Sequence, residues 1–377
     1  MHYLDHAATT PVPSAVAQAV AQALTEGFGN PSSQYPLGMA ARNLVQESRE
    51  TVAQALGVAP ERLFFTSCGT EGDNWAIRAA LHQNRHVGRH IITTAVEHSA
   101  VLEPCRSLAA QGYEVTYLKP DKTGYITAQQ VLDALREDTA LVSVMLVNNE
   151  TGCIFPIEEI ARSMKAAGSR ALLHCDAVQG FLKVPCTPAA WGVDLMAISA
   201  HKIGGPKGIG ALYIAPTLPH PQPLILGGGQ EMGLRSGTEP TGQLAGFAAA
   251  VKLRFPRWQA DAAYMAELKA YARQRLTAID GLVTVGAGEA PHILSVSLRG
   301  YPSGNVVTDL GSQGICISAG SACHRGKASH VVSALGLDKR TAAGVLRISF
   351  GPENTREDID ALYEALLAHR QQRFAML

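Results

Sequence analysis

Strand-like and helix-like segments alternate through the first half of this chain, and this alternation constrains the fold more than any other feature of the sequence. Short apolar runs predict strands, and apolar residues spaced three or four apart predict the helices between them. Such a repeat indicates a mainly parallel sheet with helices on both faces. We predict helices over 38–56, 70–81, 99–111, 127–136 and 157–167, and strands over 63–66, 90–94, 114–118, 141–146, 171–175 and 193–198.

The chain changes character after residue 203. A zone rich in glycine and proline covers residues 204–242, and one long or broken helix is predicted over 243–279. Residues 293–377 then alternate again in a smaller unit, with predicted strands over 293–298, 315–317 and 345–350 and helices over 305–310 and from 356. We therefore expect an α/β fold with a large α/β domain first and a smaller α+β domain second, connected by the long helix.

Charge and composition exclude several classes of protein. The 32 basic and 32 acidic residues give a formal net charge of zero, which gives no sign of a nucleic acid or an anionic membrane as partner. No apolar run reaches the ~18 residues of a membrane helix. The first residues have neither a basic region nor an apolar signal core, so we expect a cytoplasmic protein. The seven cysteines, odd in number and without a C-x-x-C pair, argue against a disulfide framework and a structural metal site.

A lysine follows one of the predicted strands directly. Ser199, His201 and Lys202 come after the apolar run 193–198 and before a glycine turn. In open α/β sheets, ligands bind where the strands end. A hydroxyl, an imidazole and an amine at this edge suit a small anionic ligand, and an amine held in such a pocket can form a Schiff base with a carbonyl cofactor. A solvated lysine at a strand end is the plainer alternative.

Two further motifs lie where a strand passes into a helix. Gly69 and Thr70 open a predicted helix, and free backbone N–H groups at a helix start bind phosphate. An ordinary helix cap explains the same residues. His98 follows the next strand and suits stacking on a flat ring or proton transfer, while a histidine bonded to the backbone is the structural alternative.

Polar residues also follow the predicted strands over 141–146 and 171–175. Asp176 ends a strand, and a carboxylate there can hold a protonated pyridine nitrogen, which strengthens an electron-accepting ring. Gln179 lies three residues on and can point at the same ligand. Asn148 and Asn149 follow an apolar run and suit a turn as well as a ligand contact. For Asp176, a helix cap is the structural alternative.

The smaller unit contributes a cysteine and an arginine. Cys323 lies among glycine and small residues, and the neighbouring Arg325 and Lys327 favour its thiolate, which lowers the thiol pKa. An ordinary surface cysteine in a basic loop is the alternative. Arg347 lies within a predicted strand and can bind a carboxylate with its fork of N–H groups, or simply face solvent.

Taken together and in this order, the motifs resemble those of the cysteine desulfurases, which are class V, fold-type I pyridoxal-phosphate enzymes, and in particular the group associated with iron–sulfur cluster assembly. The resemblance implies a large cofactor-binding domain over 14–255 and a small domain made of 1–13 with 256–377 that carries the Cys323 loop. It covers almost the whole chain. The matching segments are 3–10, 29–33, 66–74, 97–98, 148–150, 176–179, 199–206, 227–238, 320–323 and 347–351.

The resemblance also implies roles for the residues around pyridoxal phosphate. Lys202 would form the Schiff base and move the substrate α proton, and Asp176 would pair with the pyridine nitrogen. His98 would stack on the ring and move protons. The remaining cofactor contacts would come from Gly69, Thr70, Ser199 and His201 at the phosphate, Gln179 at the ring hydroxyl, Asn149, and Thr238 from a second subunit.

The implied reaction converts L-cysteine to L-alanine. Asn30, Asn149 and Arg347 would bind the substrate carboxylate. Cys323 would attack the substrate sulfur and become a persulfide. The resemblance further implies a homodimer, no metal, and a sulfur acceptor such as an iron–sulfur scaffold or a tRNA-thiolation enzyme.

The chain departs from the family pattern in two places. Tyr35 stands where the family has a histidine, and Ala328-Ser329-His330 replaces the common Pro-Ser-His after a short loop. Two enzymatic alternatives use related machinery: a selenocysteine lyase and a class V aminotransferase, of which the latter needs no cysteine loop. A binding protein that keeps the fold without the chemistry is a third alternative, which the joint presence of Lys202, Asp176, His98 and Cys323 disfavours.

Overall fold

The strands form one large sheet and two small ones. The computed structural model describes residues 1–320 and 329–372. Cys323, with the rest of the predicted loop over 321–328, lies outside the described residues. The strands are β1 (His2–Tyr3), β2 (Leu63–Thr66), β3 (His90–Thr94), β4 (Glu114–Leu118), β5 (Thr139–Ser143), β6 (Leu172–Asp176), β7 (Leu195–Ser199), β8 (Gly210–Ile214), β9 (Leu282–Thr284), β10 (Ile293–Leu298), β11 (Ile315–Cys316), β12 (Ser318–Ala319) and β13 (Val345–Ser349).

Helices surround these sheets and connect most of the parallel strands. They are α1 (Ser14–Thr25), α2 (Pro36–Leu56), α3 (Gly69–Gln83), α4 (Ser99–Ala109), α5 (Ala128–Ala134), α6 (Ile157–Ala166), α7 (Pro188–Trp191), α8 (Thr241–Arg254), α9 (Trp258–Leu276), α10 (Ser303–Ser312), α11 (His330–Ala334), α12 (Lys339–Ala343) and α13 (Arg356–Gln372).

The large sheet has seven strands in the order β2-β8-β7-β6-β5-β3-β4. Strands β3 to β7 pair in parallel, whereas β8 runs antiparallel to both β2 and β7. All but β4 are buried along their whole length, as expected of a sheet with helices on both faces. The predicted α/β class with a mainly parallel sheet is confirmed.

Several elements differ from the sequence predictions. Strand β8 and helix α1 were not predicted: β8 lies inside the zone rich in glycine and proline, whose composition hides the apolar run Gly210–Ile214. Strand β5 ends at Ser143 rather than at residue 146. Beyond Ser143 the chain makes only isolated hydrogen bonds to β6, from the N–H groups of Val144 and Leu146 to the carbonyls of His174 and Asp176. The long helix over 243–279 is broken at Phe255–Arg257, next to Pro256.

The C-terminal part has its own sheet and its own apolar core. Strands β12-β13-β10-β9 form an antiparallel sheet, and β1 pairs in parallel with β11. Leu4 packs into this core together with residues of α9, α10 and α13. The predicted domain boundaries remain a prediction. No helix among the described residues is both long and apolar enough to cross a membrane.

Candidate active site

A cavity of about 340 Å³ lies at the edge of the large sheet where β6 and β7 end. Ten of the predicted site residues line it. The chain brings these residues together from four strand ends, one helix start and the smaller sheet. They are Gly69, Thr70, His98, Asn149, Asp176, Gln179, Ser199, His201, Lys202 and Arg347. The crossing rule for parallel strands explains why segments that follow different strands meet at this edge.

Lys202 ends a short 3-10 turn, Ala200–Lys202, that directly follows β7. Its Nζ donates to the backbone carbonyls of Ala7 at 2.6 Å and Ala8 at 2.8 Å. Burial and the nearby charge of Arg347 lower the pKa of the Lys202 amine to about 8. A sizeable fraction of the amine is therefore uncharged near neutral pH, which is the form that reacts with a carbonyl group.

Asp176 lies at the end of β6 and is 5% exposed. Its Oδ1 accepts from the backbone N–H of Val178 at 2.9 Å. Burial raises the pKa of this carboxyl, while the nearby His98 and Lys202 counteract the rise. A protonated ring nitrogen bound against Asp176 would supply the opposite charge that a buried carboxylate requires.

Gln179 extends the same wall of the cavity. Its Nε2 donates to the carbonyl of Ala7 at 2.8 Å, whereas its buried Oε1 has no hydrogen-bond partner within 1–320 and 329–372. A buried acceptor without a partner is costly, so this oxygen is available to a ligand hydroxyl.

The opposite end of the cavity suits a phosphate. Gly69 and Thr70 begin α3, whose first N–H groups face this end. The buried Oγ of Ser199 has no partner in the described part of the chain. A Cβ at Gly69 would lie 2.5 Å from Cγ2 of Val178, so a larger residue would push into the wall of the cavity.

His201 completes this end. Its Nδ1 lies 3.2 Å from Thr9 Oγ1. Burial and the neighbouring Lys202 and Lys207 lower the pKa of the ring to about 4, which leaves the imidazole neutral at pH 7. A neutral imidazole still donates one hydrogen bond, so His201 can contact an anion without adding charge.

His98 serves as a helix cap and also faces the cavity. Its Nδ1 accepts from the backbone N–H of Ala100 at 3.1 Å, at the start of α4. In a neutral ring this bond places the proton on Nε2. The two roles predicted for His98 are therefore compatible, because the hydrogen bond that caps α4 fixes the orientation of a ring that also lines the cavity.

Arg347 enters the cavity from β13. Its Nη1 donates to the carbonyl of Asn149 at 2.9 Å, and its Nη2 donates to Asp5 Oδ1 at 2.9 Å and to Ser318 Oγ at 3.0 Å. Its buried Nε has no partner among the described residues. The guanidinium is thus held in place with a donor free for a ligand carboxylate.

A buried polar group behind Asp176 was not predicted. Asp73, 1% exposed, lines the cavity, and its Oδ1 lies 3.4 Å from Nε2 of His174. Nδ1 of His174 lies 2.9 Å from Ser143 Oγ. Spacing could have indicated both residues, because Asp73 is one helical turn after Gly69 and His174 shares a strand face with Asp176.

Two of the described site residues do not line this cavity, and a third predicted residue lies outside the described part of the chain. Asn30 is exposed, and its Oδ1 accepts from the backbone N–H of Ser32 at 2.9 Å. Thr238 lines a separate cavity with Arg235. Cys323 lies outside the described residues. Tyr35 is exposed at the start of α2 and does not line the cavity.

Comparison with known proteins gives a consistent result. The class-V aminotransferase family matches residues 2–362. The chain is 37% identical to a cysteine desulfurase IscS of Methanosarcina thermophila, over 97% of this chain and 90% of that protein. A solved NifS-like protein superposes with a TM-score of 0.92 at 36% identity, covering 98% of this chain and 99% of the other. A structure of SspA in complex with cysteine gives 0.81 at 33% identity, with 94% and 100% covered.

Proposed function

The chain belongs to the class-V aminotransferase family and is a cysteine desulfurase, and on that premise we propose that it binds pyridoxal phosphate in the cavity at Lys202 and passes the sulfur of L-cysteine to Cys323. The proposal rests on one observation: a reactive amine, a buried carboxylate and hydrogen-bond donors suited to a phosphate all line one cavity. Lys202, Asp176 and Ser199 are the respective residues.

The residues present fit this cofactor. The unpartnered Ser199 Oγ, the N-terminus of α3 and His201 suit its phosphate, and the unpartnered Oε1 of Gln179 suits its ring hydroxyl. Asp176 suits a protonated ring nitrogen. When bound, pyridoxal phosphate supplies an aldehyde that captures amino groups and a ring that accepts electrons.

Lys202 is proposed to move the substrate α proton. The carbonyls of Ala7 and Ala8 hold its Nζ at the cavity, and its lowered pKa makes the neutral amine accessible near pH 7. A general base works best when its pKa lies near the working pH.

The substrate carboxylate is proposed to bind Arg347 and Asn149. Nε of Arg347 is a free donor, and two anchors, Asp5 and the Asn149 carbonyl, already hold the guanidinium. Asn30 is proposed as a further contact on the basis of the family resemblance alone.

Cys323 is proposed as the nucleophile. Its thiolate attacks the substrate sulfur, the bond between that sulfur and the substrate β carbon breaks, and its electron pair stays on the carbon. The carbon takes a proton, for which His98 is the proposed carrier, and alanine leaves. Cys323 then carries both sulfur atoms as a persulfide, which an acceptor protein removes.

A second copy of the chain is proposed to complete the site. Thr238 lies at a separate cavity of its own chain, so its predicted phosphate contact requires a partner subunit. The chain also exposes large apolar side chains, among them Phe28, Met39 and Leu226, and we propose that a dimer covers them. The proposed acceptors are an iron–sulfur scaffold or a tRNA-thiolation enzyme.

A paired assay tests the proposal. Wild type and Cys323→Ser are mixed with L-cysteine and a thiol, and sulfide, alanine and cofactor absorbance are measured. Wild type should release both products in equal amounts, and the variant should bind cofactor but release neither. Cys316→Ser, a half-buried cysteine on β11, is the matched control and should stay active.

Each contrary result has one meaning. Full activity of Cys323→Ser would reject this cysteine as nucleophile. A wild type that binds cofactor but turns over only selenocysteine would favour the lyase, and a dependence on 2-oxo acids would favour the aminotransferase.

A further inference from the structure

A second, smaller cavity of about 30 Å³ lies next to Lys202. Lys202 lines both cavities, so the two are neighbours at this residue. Its volume suits one or two particles the size of a water molecule. The residues that matter in its wall are His6, Leu182, Lys183, Arg254 and Asp261.

Lys183 is the unusual member of this wall. It is 7% exposed, and its Nζ has no hydrogen-bond partner within residues 1–320 and 329–372. The preceding Leu182 has a φ of 54°, a left-handed conformation that a branched side chain adopts only under strain. Buried unpaired donors and backbone strain are both rare, and both concentrate at functional sites.

His292 adds a second group without a partner. It is fully buried, and neither ring nitrogen has a hydrogen-bond partner in the described chain. The backbone carbonyl of His292 accepts from the N–H of Phe350 at 2.9 Å, and Phe350 lines the smaller cavity. After burial, the charge of Lys183 is the largest of those that lower the pKa of His292. Lys183 and His292 thus both lack hydrogen-bond partners in the described chain.

The charges around Lys183 are mainly positive. After burial, the charges of Lys202, Arg254 and Arg347 lower the pKa of Lys183 to about 7. The acidic groups on this side are already engaged: Asp261 accepts from Arg257 at 2.9 Å and lies 3.6 Å from Arg254, which also contacts Glu353. The remaining titratable neighbours are cationic or neutral: His6, His292 and Lys269.

We propose that this cavity binds a small monovalent anion of the halide class, held by Lys183 in its ammonium form. A water molecule would satisfy one N–H group but would not offset the repulsion among Lys183, Lys202 and Arg254. A monovalent anion does both, and a cavity of this size has no room for a phosphate or a carboxylate with its carbon chain. Binding of the anion does not require the proposed sulfur chemistry to be correct.

The anion affinity should depend on pH. The pKa of Lys183 is depressed from 10.5 to about 7 in the folded chain, so the lysine loses its charge as pH rises through 7. Halide binding should then weaken by about tenfold per pH unit above 7. A bound anion should also stabilise the protonated form of Lys202 and so raise the pKa of that amine.

Crystals of the cofactor-loaded protein grown in bromide test the proposal directly. An anomalous bromide peak within hydrogen-bond distance of Lys183 Nζ is expected at pH 6, and no peak is expected there at pH 9. A water molecule at that position without anomalous signal at pH 6, or bromide at surface positions only, would overturn the proposal.

The melting temperature of the wild type and of two variants tests the same proposal in solution. Bromide should raise the Tm of the wild type above its value in gluconate at equal ionic strength, more at pH 6 than at pH 9. Lys183→Met should abolish the difference, and Lys165→Met, on the exposed face of α6, should keep it. Equal bromide effects in wild type and Lys183→Met would overturn the assignment, and the wild-type crystals decide the matter if that variant does not fold.

Discussion

Asp5 accepts a hydrogen bond from Nη2 of Arg347 at 2.9 Å, although 342 positions separate the two residues. Ser318 Oγ lies between them: it donates to both oxygens of Asp5 at 2.9 Å and accepts from Arg347 at 3.0 Å. The N-terminal segment thus positions the arginine proposed to bind the substrate carboxylate. Both hydrogens of Nη2 are taken, so Nε and the second hydrogen of Nη1 are the donors left for a ligand.

Asp5→Asn should therefore weaken substrate binding. The amide keeps the shape but not the charge, so the guanidinium is held less firmly, at a cost of about 1.5–3 kcal/mol. We expect KM for L-cysteine to rise by at least tenfold with a smaller change in kcat. Asp133→Asn, at an exposed position on α5, serves as the control. An unchanged KM would show that Asp5 does not position Arg347.

The rate at which cofactor-free protein takes up pyridoxal phosphate should rise with pH and level off near pH 8. The pKa of Lys202 is depressed to about 8, so the reactive neutral amine increases about tenfold per pH unit below that value. Absorbance after rapid mixing measures the rate. Pyridoxamine phosphate, which has no aldehyde, is the control ligand. A rate that keeps rising to pH 10 would contradict the lowered pKa.

Asp73 should tolerate an amide but not a truncation. Burial and the neighbouring Asp176 and Glu97 raise the pKa of Asp73, so the protonated acid is the form beside His174. The free energy of unfolding of Asp73→Asn should lie within about 1 kcal/mol of the wild-type value, whereas Asp73→Ala should lose about 1–3 kcal/mol because Nε2 of His174 loses the polar group 3.4 Å from it. Urea unfolding measures both variants. Equal losses would show that the contact with His174 is not what matters.

The buried Glu97 should make the free energy of unfolding fall as pH rises. Burial raises the pKa of Glu97 to about 8, so the folded chain holds a proton there that the unfolded chain releases above about 4.5. Folding is therefore favoured at low pH, and this contribution is lost between pH 4.5 and 8. Glu97→Gln keeps an oxygen for Thr94 and Met145 and should flatten this slope.

Urea unfolding of wild type and Glu97→Gln from pH 5 to 9 measures the difference. Glu103→Gln, exposed on α4, is the control and should follow the wild type. If the free energy of unfolding depends on pH equally in wild type and Glu97→Gln, Glu97 is ionised throughout this range, and its pKa is not raised.

Local pattern was sufficient to predict the α/β fold and most of the residues around the cavity. Asp176 and Lys202 each follow a buried strand, and Gly69 opens a helix, so strand periodicity and turn residues located them. Strand β8 was missed because its glycine-rich surroundings resemble a loop, and Asp73 because its one local signal is its position one helical turn after Gly69.

The sequence by itself determined which residues end strands and begin helices, because those signals depend on side chains within a few positions of one another. The resemblance of its ordered motifs also determined the family. Only the tertiary structure decided that Asp5 holds Arg347, that Asp73 lies behind Asp176, and that Lys183 has no partner in the described chain. These relations join segments up to 342 positions apart, and the burial that shifts their pKa values exists only once the sheets have packed.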